Sequence, residues 1–523
     1  MKTADQATLI SRLNDPACYP HPVDRLQMIE THISYVWLTG PLAYKIKKAV
    51  CFEFLDFSTL ALRRFYCEEE LRLNRRFAPQ LYVQVLPIVT RGGRVHVGGE
   101  GTVLDYAVQM REFDQSLLFS SLLLRRQLDA SQIEQLAQRV AAFHRVAAIA
   151  SAGQDFGRPA QIAQQMADNF APIQLLLGDP AQRRSIDFVR DWAEQQSRVL
   201  DRAFEERRNH GFIRECHGDL HLRNVALLDG QPTLFDCIEF SASLRWIDIA
   251  SEVAFIVMDL HAAGRGDLAT SYLNAYLAES GDYAGLAILR YYLVYRALVR
   301  AKVNALQTLQ QRGADTRAVQ RNDQVIDYLR LAQSFCTEAR PALLITHGFS
   351  GSGKTAISKH LAERIGAIRL RSDVERKRLH GLPAMAGSGS GLTSGLYRTQ
   401  VTEQTYEHLL CTAATILSAG FSVIVDATFL AYEQRLLFAQ WAREANRPYA
   451  IIDFQAPLAT LRSRLRQRRG DASEADAAVL EQQLNMAEPL QPSELPATFA
   501  YDSRRPLGDA ALAPVWQPLI KRL

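Results

Sequence analysis

Two groups of residues in this 523-residue chain have the types and spacing needed to handle phosphate. The first runs from Gly348 to Thr355 and reads Gly-Phe-Ser-Gly-Ser-Gly-Lys-Thr. Gly348, Ser350, Gly351, Ser352 and Gly353 supply a backbone that can wrap an anion, with amide N–H groups at a helix start pointing at it. Lys354 is then expected to reach the β- and γ-phosphates of ATP, and Thr355 to ligate Mg²⁺. Asp373 ends a short apolar alternation and suits the acceptance of a proton from an attacking hydroxyl. Arg376, three residues later, could clamp the acceptor. Asp426 closes the apolar run 421–425 and suits a magnesium ligand. Five arginines fall between 462 and 469; Arg462 and Arg466 share one helical face and are expected to form a cationic lid over the transferring phosphoryl group.

The second group is His217-Gly-Asp219-Leu-His221-Leu-Arg-Asn224, followed by Asp236 at the end of Thr-Leu-Phe-Asp. Apolar runs on either side of Asp229-Gly230 predict a β-hairpin. A hairpin brings the residue before its first strand close to the residue after its second, so Asn224 and Asp236 should converge and could share Mg²⁺. Asp219 is left to accept the proton of a substrate hydroxyl. Upstream, Lys45 and Lys47 share a strand face with Ala43. The small Ala43 leaves room for adenine, which favours Lys45 as the lysine on the ATP phosphates. Its carboxylate partner is expected among Glu68, Glu69 and Glu70, with Glu69 chosen.

These groups need elements to hold them. Residues 31–113 read as strand-rich, with a helix at 60–76; from Ser131 onward the pattern is helical, and a further helical set fills 284–335. From 341 on, short apolar strands alternate with helices, the sign of a parallel α/β sheet. A boundary at residues 338–341 divides the chain into domains 1–340 and 341–523, and residues 386–391 read as a flexible Gly/Ser loop.

Composition is that of ordinary globular domains, with 48% hydrophobic and 22% charged residues. No apolar run of 18 residues exists and the first ten residues are polar, which argues against a membrane span or a secretory leader. The seven cysteines are scattered without a C-x-x-C pair, which fits a reducing cytoplasm. The net charge of +4 resides wholly beyond residue 340, where 21 basic side chains face 17 acidic ones. That suits an anionic small ligand better than duplex nucleic acid.

Through Gly348 to Thr355, Asp373-x-x-Arg376 and the arginine-rich segment, the C-terminal part resembles small P-loop kinases such as zeta-toxin, chloramphenicol phosphotransferase, gluconate kinase and phage-type polynucleotide kinase. Through His217-Gly-Asp219-x-His221-x-x-Asn224 and Asp236, residues 1–340 resemble the aminoglycoside phosphotransferase family, a branch of the protein-kinase-like fold. One departure is the lack of a G-x-G-x-x-G loop before Lys45, where only Gly40 is available. The resemblances imply an α+β, two-lobed kinase-like domain followed by an α/β P-loop NTPase domain, as in bacterial fusions of the two. They imply transfer of the γ-phosphoryl group of Mg-ATP to a hydroxyl of a small polar metabolite or sugar. An ATP-binding regulatory switch, and a polynucleotide 5′-kinase in the C-terminal half, stand as alternatives.

Overall fold

The computed structural model describes residues 3–52, 55–151, 153–310, 316–337, 340–383, 399–467, 477–505 and 514–522. The expected Gly/Ser loop at 386–391, the boundary residues Glu338 and Ala339, and Arg468 and Arg469 lie outside them. The chain packs as two compact units. One comprises Met1–Leu136, Val146–Gln161 and Phe204–Ile256; the other comprises Ala137–Arg145, Ile162–Ala203 and Val257–Leu523.

The first unit carries a six-stranded sheet of β1 (Gln27–Glu30), β2 (Ser34–Leu38), β3 (Leu42–Lys47), β4 (Tyr82–Arg91), β5 (Arg94–Val97) and β6 (Thr102–Arg111), in the order β1-β2-β3-β6-β4-β5. Side chains alternate across β3. Tyr44 and Ile46 enter an apolar core with Trp37, Ile88, Val95 and Ala107. Ala43, Lys45 and Lys47 therefore share the opposite face, and all three are buried.

Helix α1 (Leu60–Asn74) starts at Thr59, whose hydroxyl accepts the Leu62 N–H. Its buried residues are Arg63, Cys67, Glu70, Leu73 and Asn74, a stripe at helical spacing. Arg63 is fully buried and ion-paired at 2.8 Å with Asp105 of β6, which ties the helix to the sheet. The predicted hairpin is present. β7 (Val225–Leu228) and β8 (Gln231–Leu234) pair antiparallel around Asp229 and Gly230, both at positive φ.

In the second unit, β9 (Leu343–His347), β10 (Ile368–Arg371), β11 (Val423–Asp426), β12 (Tyr449–Gln455) and β13 (Thr498–Asp502) form a parallel sheet in the order β10-β11-β9-β12-β13. Leu344, Ile424 and Ile452 pack against Ile357 and Leu361 of α3 (Lys354–Ile365), which begins at Gly353 and stops at Gly366.

Residues from 257 onward group with this sheet. β10 is an edge strand, and its backbone is capped by a side chain from α2 (Gly266–Ser280). The Asn274 amide donates to the Ala367 carbonyl at 3.0 Å and accepts the Arg369 N–H at 2.6 Å. It stands in for a missing neighbour strand and protects the edge. Ser271 adds a hydrogen bond to Glu363, and Tyr283 one to the buried Glu375. Asn274→Ala leaves two backbone groups unsatisfied and should lower the unfolding free energy of this unit by about 1–3 kcal/mol. Urea unfolding followed by tryptophan fluorescence measures it, and an unchanged midpoint would contradict this account of the edge.

Candidate active sites

In the first unit, Gly218 shapes the loop that carries Asp219. It has φ +86°, and a Cβ there would lie 2.7 Å from the Leu244 carbonyl oxygen, so only glycine fits. Glu252 then fastens the turn by accepting the His217 N–H at 3.1 Å and the Gly218 N–H at 2.7 Å. The buried His217 ring reaches across to the hairpin and donates from Nε2 to the Phe235 carbonyl at 2.8 Å. Burial pushes its pKa down, which keeps it neutral.

Asn224 binds back to the same loop. Its Nδ2 donates to the Asp219 carbonyl at 2.9 Å and to Asp219 Oδ2 at 3.2 Å. His221 faces the same carboxylate oxygen at 3.4 Å. Because His221 Nδ1 accepts the Arg223 N–H, the ring proton sits on Nε2, toward Asp219. The sequence motif contained His221 but gave it no role.

The hairpin does bring Asn224 and Asp236 to one end. Val225 pairs with Leu234, and the Phe235 N–H donates to the Asn224 carbonyl. Asp236 follows at φ +63°, its N–H donating to Tyr82 Oη at 3.1 Å. Its side chain is 46% exposed and that of Asp219 is 38% exposed, so both carboxylates are reachable. Asn224 and Asp236 offer hard oxygen donors of the kind Mg²⁺ takes, and the Asn224 nitrogen is committed to Asp219.

Lys45 Nζ lies 2.5 Å from Asp236 Oδ1 and 2.8 Å from Glu70 Oε1. The partner of Lys45 is therefore Glu70 and not Glu69. Glu69 sits about 100° away around α1 and pairs instead with Arg72 at 2.8 Å and Arg245 at 3.6 Å. The buried spacing 63–67–70–74 was the signal that could have separated the two. Gly40, the one glycine available before Lys45 in sequence, does not face the Lys47 end of the strand. It forms the β2–β3 turn and donates its N–H to Glu112, at the far end of β3 from Lys47. The turn at the Lys47 end is 31–33, with no glycine. Burial opposes charge on Lys45, yet Asp236 and Glu70 outweigh it and hold its pKa well above the ordinary value. Burial likewise opposes ionisation of Glu70, and Lys45 and Lys47 overcome it, taking the carboxyl from 4.5 down to about 2.

In the second unit, the loop from Gly348 to Thr355 joins the C-terminal end of β9 to α3, where ligands of parallel sheets gather. Lys354 Nζ donates to the Gly348 and Phe349 carbonyls at 2.8 Å each, lying along the loop. The register pairs Arg371 with Asp426, so the end of β10, which leads to Asp373, and the end of β11 are adjacent. Asp426 accepts a hydrogen bond from Ser358 at 3.2 Å. Asp373 and Arg376 lie 3.8 Å apart on α4 (Ser372–Leu379).

Three residues here escaped the sequence. The Arg369 guanidinium donates to the Thr355 carbonyl at 2.6 Å and lies 3.9 Å from Asp426. Gln483 accepts the Ser350 N–H at 2.9 Å and donates to Ser350 Oγ at 3.0 Å. Arg464 is the third: among the arginines of the described helix it is the one that lies beside the loop, where Arg462 and Arg466 were expected. Helix α5 (Leu458–Gln467) buries Leu461 and Leu465, and a Cβ at Gly351 would meet the Leu461 carbonyl at 2.9 Å. The face toward the loop is thus 461–464–465, and the Arg464 guanidinium would lie 3.4 Å from a Cβ at Gly353. Arg462 is turned to Glu481 at the surface, and Arg466 is exposed.

Residues 66–289 match the sequence model of the phosphotransferase enzyme family, and residues 343–490 match that of an AAA domain. An uncharacterized protein of Mycobacterium tuberculosis is 30% identical over 479 residues, covering 90% of this chain and 92% of that protein. Among solved structures, a gluconokinase from Sinorhizobium meliloti is 21% identical with a TM-score of 0.24, over 35% of this chain and 96% of that one. An amicoumacin kinase solved in complex with AMP-PNP, Ca²⁺ and Ami is 11% identical with a TM-score of 0.39, over 63% of this chain and 93% of that one.

The low Glu70 pKa has a consequence for acid stability. A carboxyl depressed from 4.5 to about 2 on folding stabilises the folded state above pH 4.5. That contribution is lost as pH falls from 4.5 through about 2. Glu70→Gln should therefore flatten the stability profile in that window, read as urea midpoints against pH. Parallel profiles for the two proteins would contradict the ion-pair geometry.

Proposed function

We propose that this chain, which belongs to the family of this mycobacterial protein and joins a phosphotransferase-family region to a P-loop region, holds a Mg-ATP site in each region and transfers the γ-phosphoryl group there to a hydroxyl of a small polar metabolite or sugar. The observation that carries the reading is the convergence of Lys45 on both Glu70 and Asp236, next to the loop bearing Asp219 and Asn224.

In the first unit, Glu70 orients Lys45 toward the ATP phosphates. Asn224 and Asp236 hold Mg²⁺, which supplies charge neutralisation to the triphosphate when bound. Asp219 takes the proton of the acceptor hydroxyl as its oxygen bonds to the γ-phosphorus. The bond to the bridging oxygen then breaks and ADP leaves. Asn224 and His221 steady the Asp219 carboxylate through Oδ2.

In the second unit, the amides of Gly348 to Thr355 cradle the phosphates, with Lys354 swinging from its loop carbonyls to the γ-phosphate. Thr355 and Asp426 are the magnesium residues. Asp373 is the base, Arg376 grips the acceptor, and Arg464 stands where charge builds on the transferring group. Seven free cysteines suit a reducing, cytoplasmic setting.

Asp219→Asn and Lys354→Ala, made separately, test the reading. Each should cut phosphoryl transfer at its own site by about 100-fold or more and leave the other site working. Phosphorylated products in a metabolite extract supplied with γ-labelled ATP give the readout. Unchanged ATP consumption in both variants, with every acceptor tried, would overturn it.

A further inference from the structure

The mechanism above uses one lysine of β3, yet the strand carries two on the same face. Lys47 is fully buried. Its ammonium lies 2.8 Å from Glu70 Oε2, contacts the Glu239 carboxylate, and sits over the Phe57 ring at 5.0 Å. Glu70 is therefore shared, with one oxygen on Lys45 and the other on Lys47. Glu239 follows Asp236 by three residues, so Lys47 joins α1 to the segment that carries the metal carboxylate.

We propose that Lys47 and Glu239 are positioning residues whose paired charges make Lys45 available to the nucleotide. The proposal rests on the reading that the first unit binds Mg-ATP at Lys45. Two ammonium groups here face three carboxylates, Glu70, Asp236 and Glu239. Two of those carboxylates are buried, and a buried charge left without a partner is costly. Lys47 satisfies Glu239 and half of Glu70. Lys45 is then left with one buried partner that fixes its direction, and one half-exposed partner, Asp236, that it can exchange for phosphate.

Without Lys47, Lys45 becomes the ammonium on which both buried carboxylates draw, and moving toward phosphate would strand them. The network thus separates two duties. Lys47 holds the fold together across three segments, and Lys45 keeps its charge for the ligand. Removing Lys47 unbalances the cluster by one charge, and neutralising Glu239 as well restores the balance.

The test is Mg-ATP binding by calorimetry on the full chain carrying Lys354→Ala, which isolates the first unit. In that background Lys47→Met should raise the dissociation constant about tenfold or more, because a buried carboxylate loses its counter-charge. The double change Lys47→Met/Glu239→Gln should return it to within about threefold, a coupling that loss of packing alone would not produce. Lys47→Arg should keep part of the affinity. Unaltered binding by Lys47→Met, or a double variant no better than the single one, would overturn the proposal. If Lys47→Met alone does not fold, as judged by thermal unfolding, the double variant must fold and bind, and failure to bind overturns the proposal too. Lys45→Met serves as the separate check on the premise: if it binds Mg-ATP undiminished, the nucleotide reading of this unit fails, whatever Lys47 does.

Discussion

The first unit depends on keeping a lysine charged inside a protein. Burial alone pulls the Lys45 pKa down, and only the ammonium form carries the charge that a triphosphate needs. Glu70 and Asp236 reverse that tendency. Each comes from a different part of the chain, α1 in one case and the segment after the β7–β8 hairpin in the other. The sheet, the helix and the hairpin therefore have to be assembled before the ammonium is worth having. Arg63 on Asp105, and Glu252 under the His217–Gly218 turn, are the contacts that hold those parts in register.

The second unit solves a similar problem by other means. Apart from Phe349 and Lys354, its phosphate loop is built of glycines and small hydroxyl residues, so what surrounds it decides its shape. Phe349 and Gly348 carbonyls hold Lys354, Gln483 holds Ser350, and Leu461 closes on Gly351. Asp426 and Asp373 reach the same edge because β10 and β11 run parallel in matched register. The helix Gly266–Ser280 keeps β10 in place through Asn274, although it lies far before the P-loop in the sequence.

Much of this could be read from the residues. The meeting of Asn224 and Asp236 at one end was legible because an Asp-Gly turn fixes a hairpin, and a hairpin fixes which ends meet. The loop from Gly348 to Thr355 was legible because strand, glycines and helix follow in order. What failed was rotation about helices. Glu69 and Glu70 are chemically alike and adjacent, and only the buried stripe of α1 decides between them. Among the arginines of α5, the face chosen by charge spacing was the solvent side, while Leu461 and Leu465 set the face toward the loop. Arg369, Gln483 and Asn274 were invisible because their partners are distant in sequence and mostly backbone atoms, which leave no mark on composition.

The central claim is that one chain carries two independent nucleotide pockets. Equilibrium titration with a non-hydrolysable ATP analogue and magnesium measures this most directly. The account predicts two molecules bound per chain, one after Lys45→Met, one after Lys354→Ala, and none when both are changed. A wild-type stoichiometry of one, or loss of the same pocket in both single variants, would contradict it.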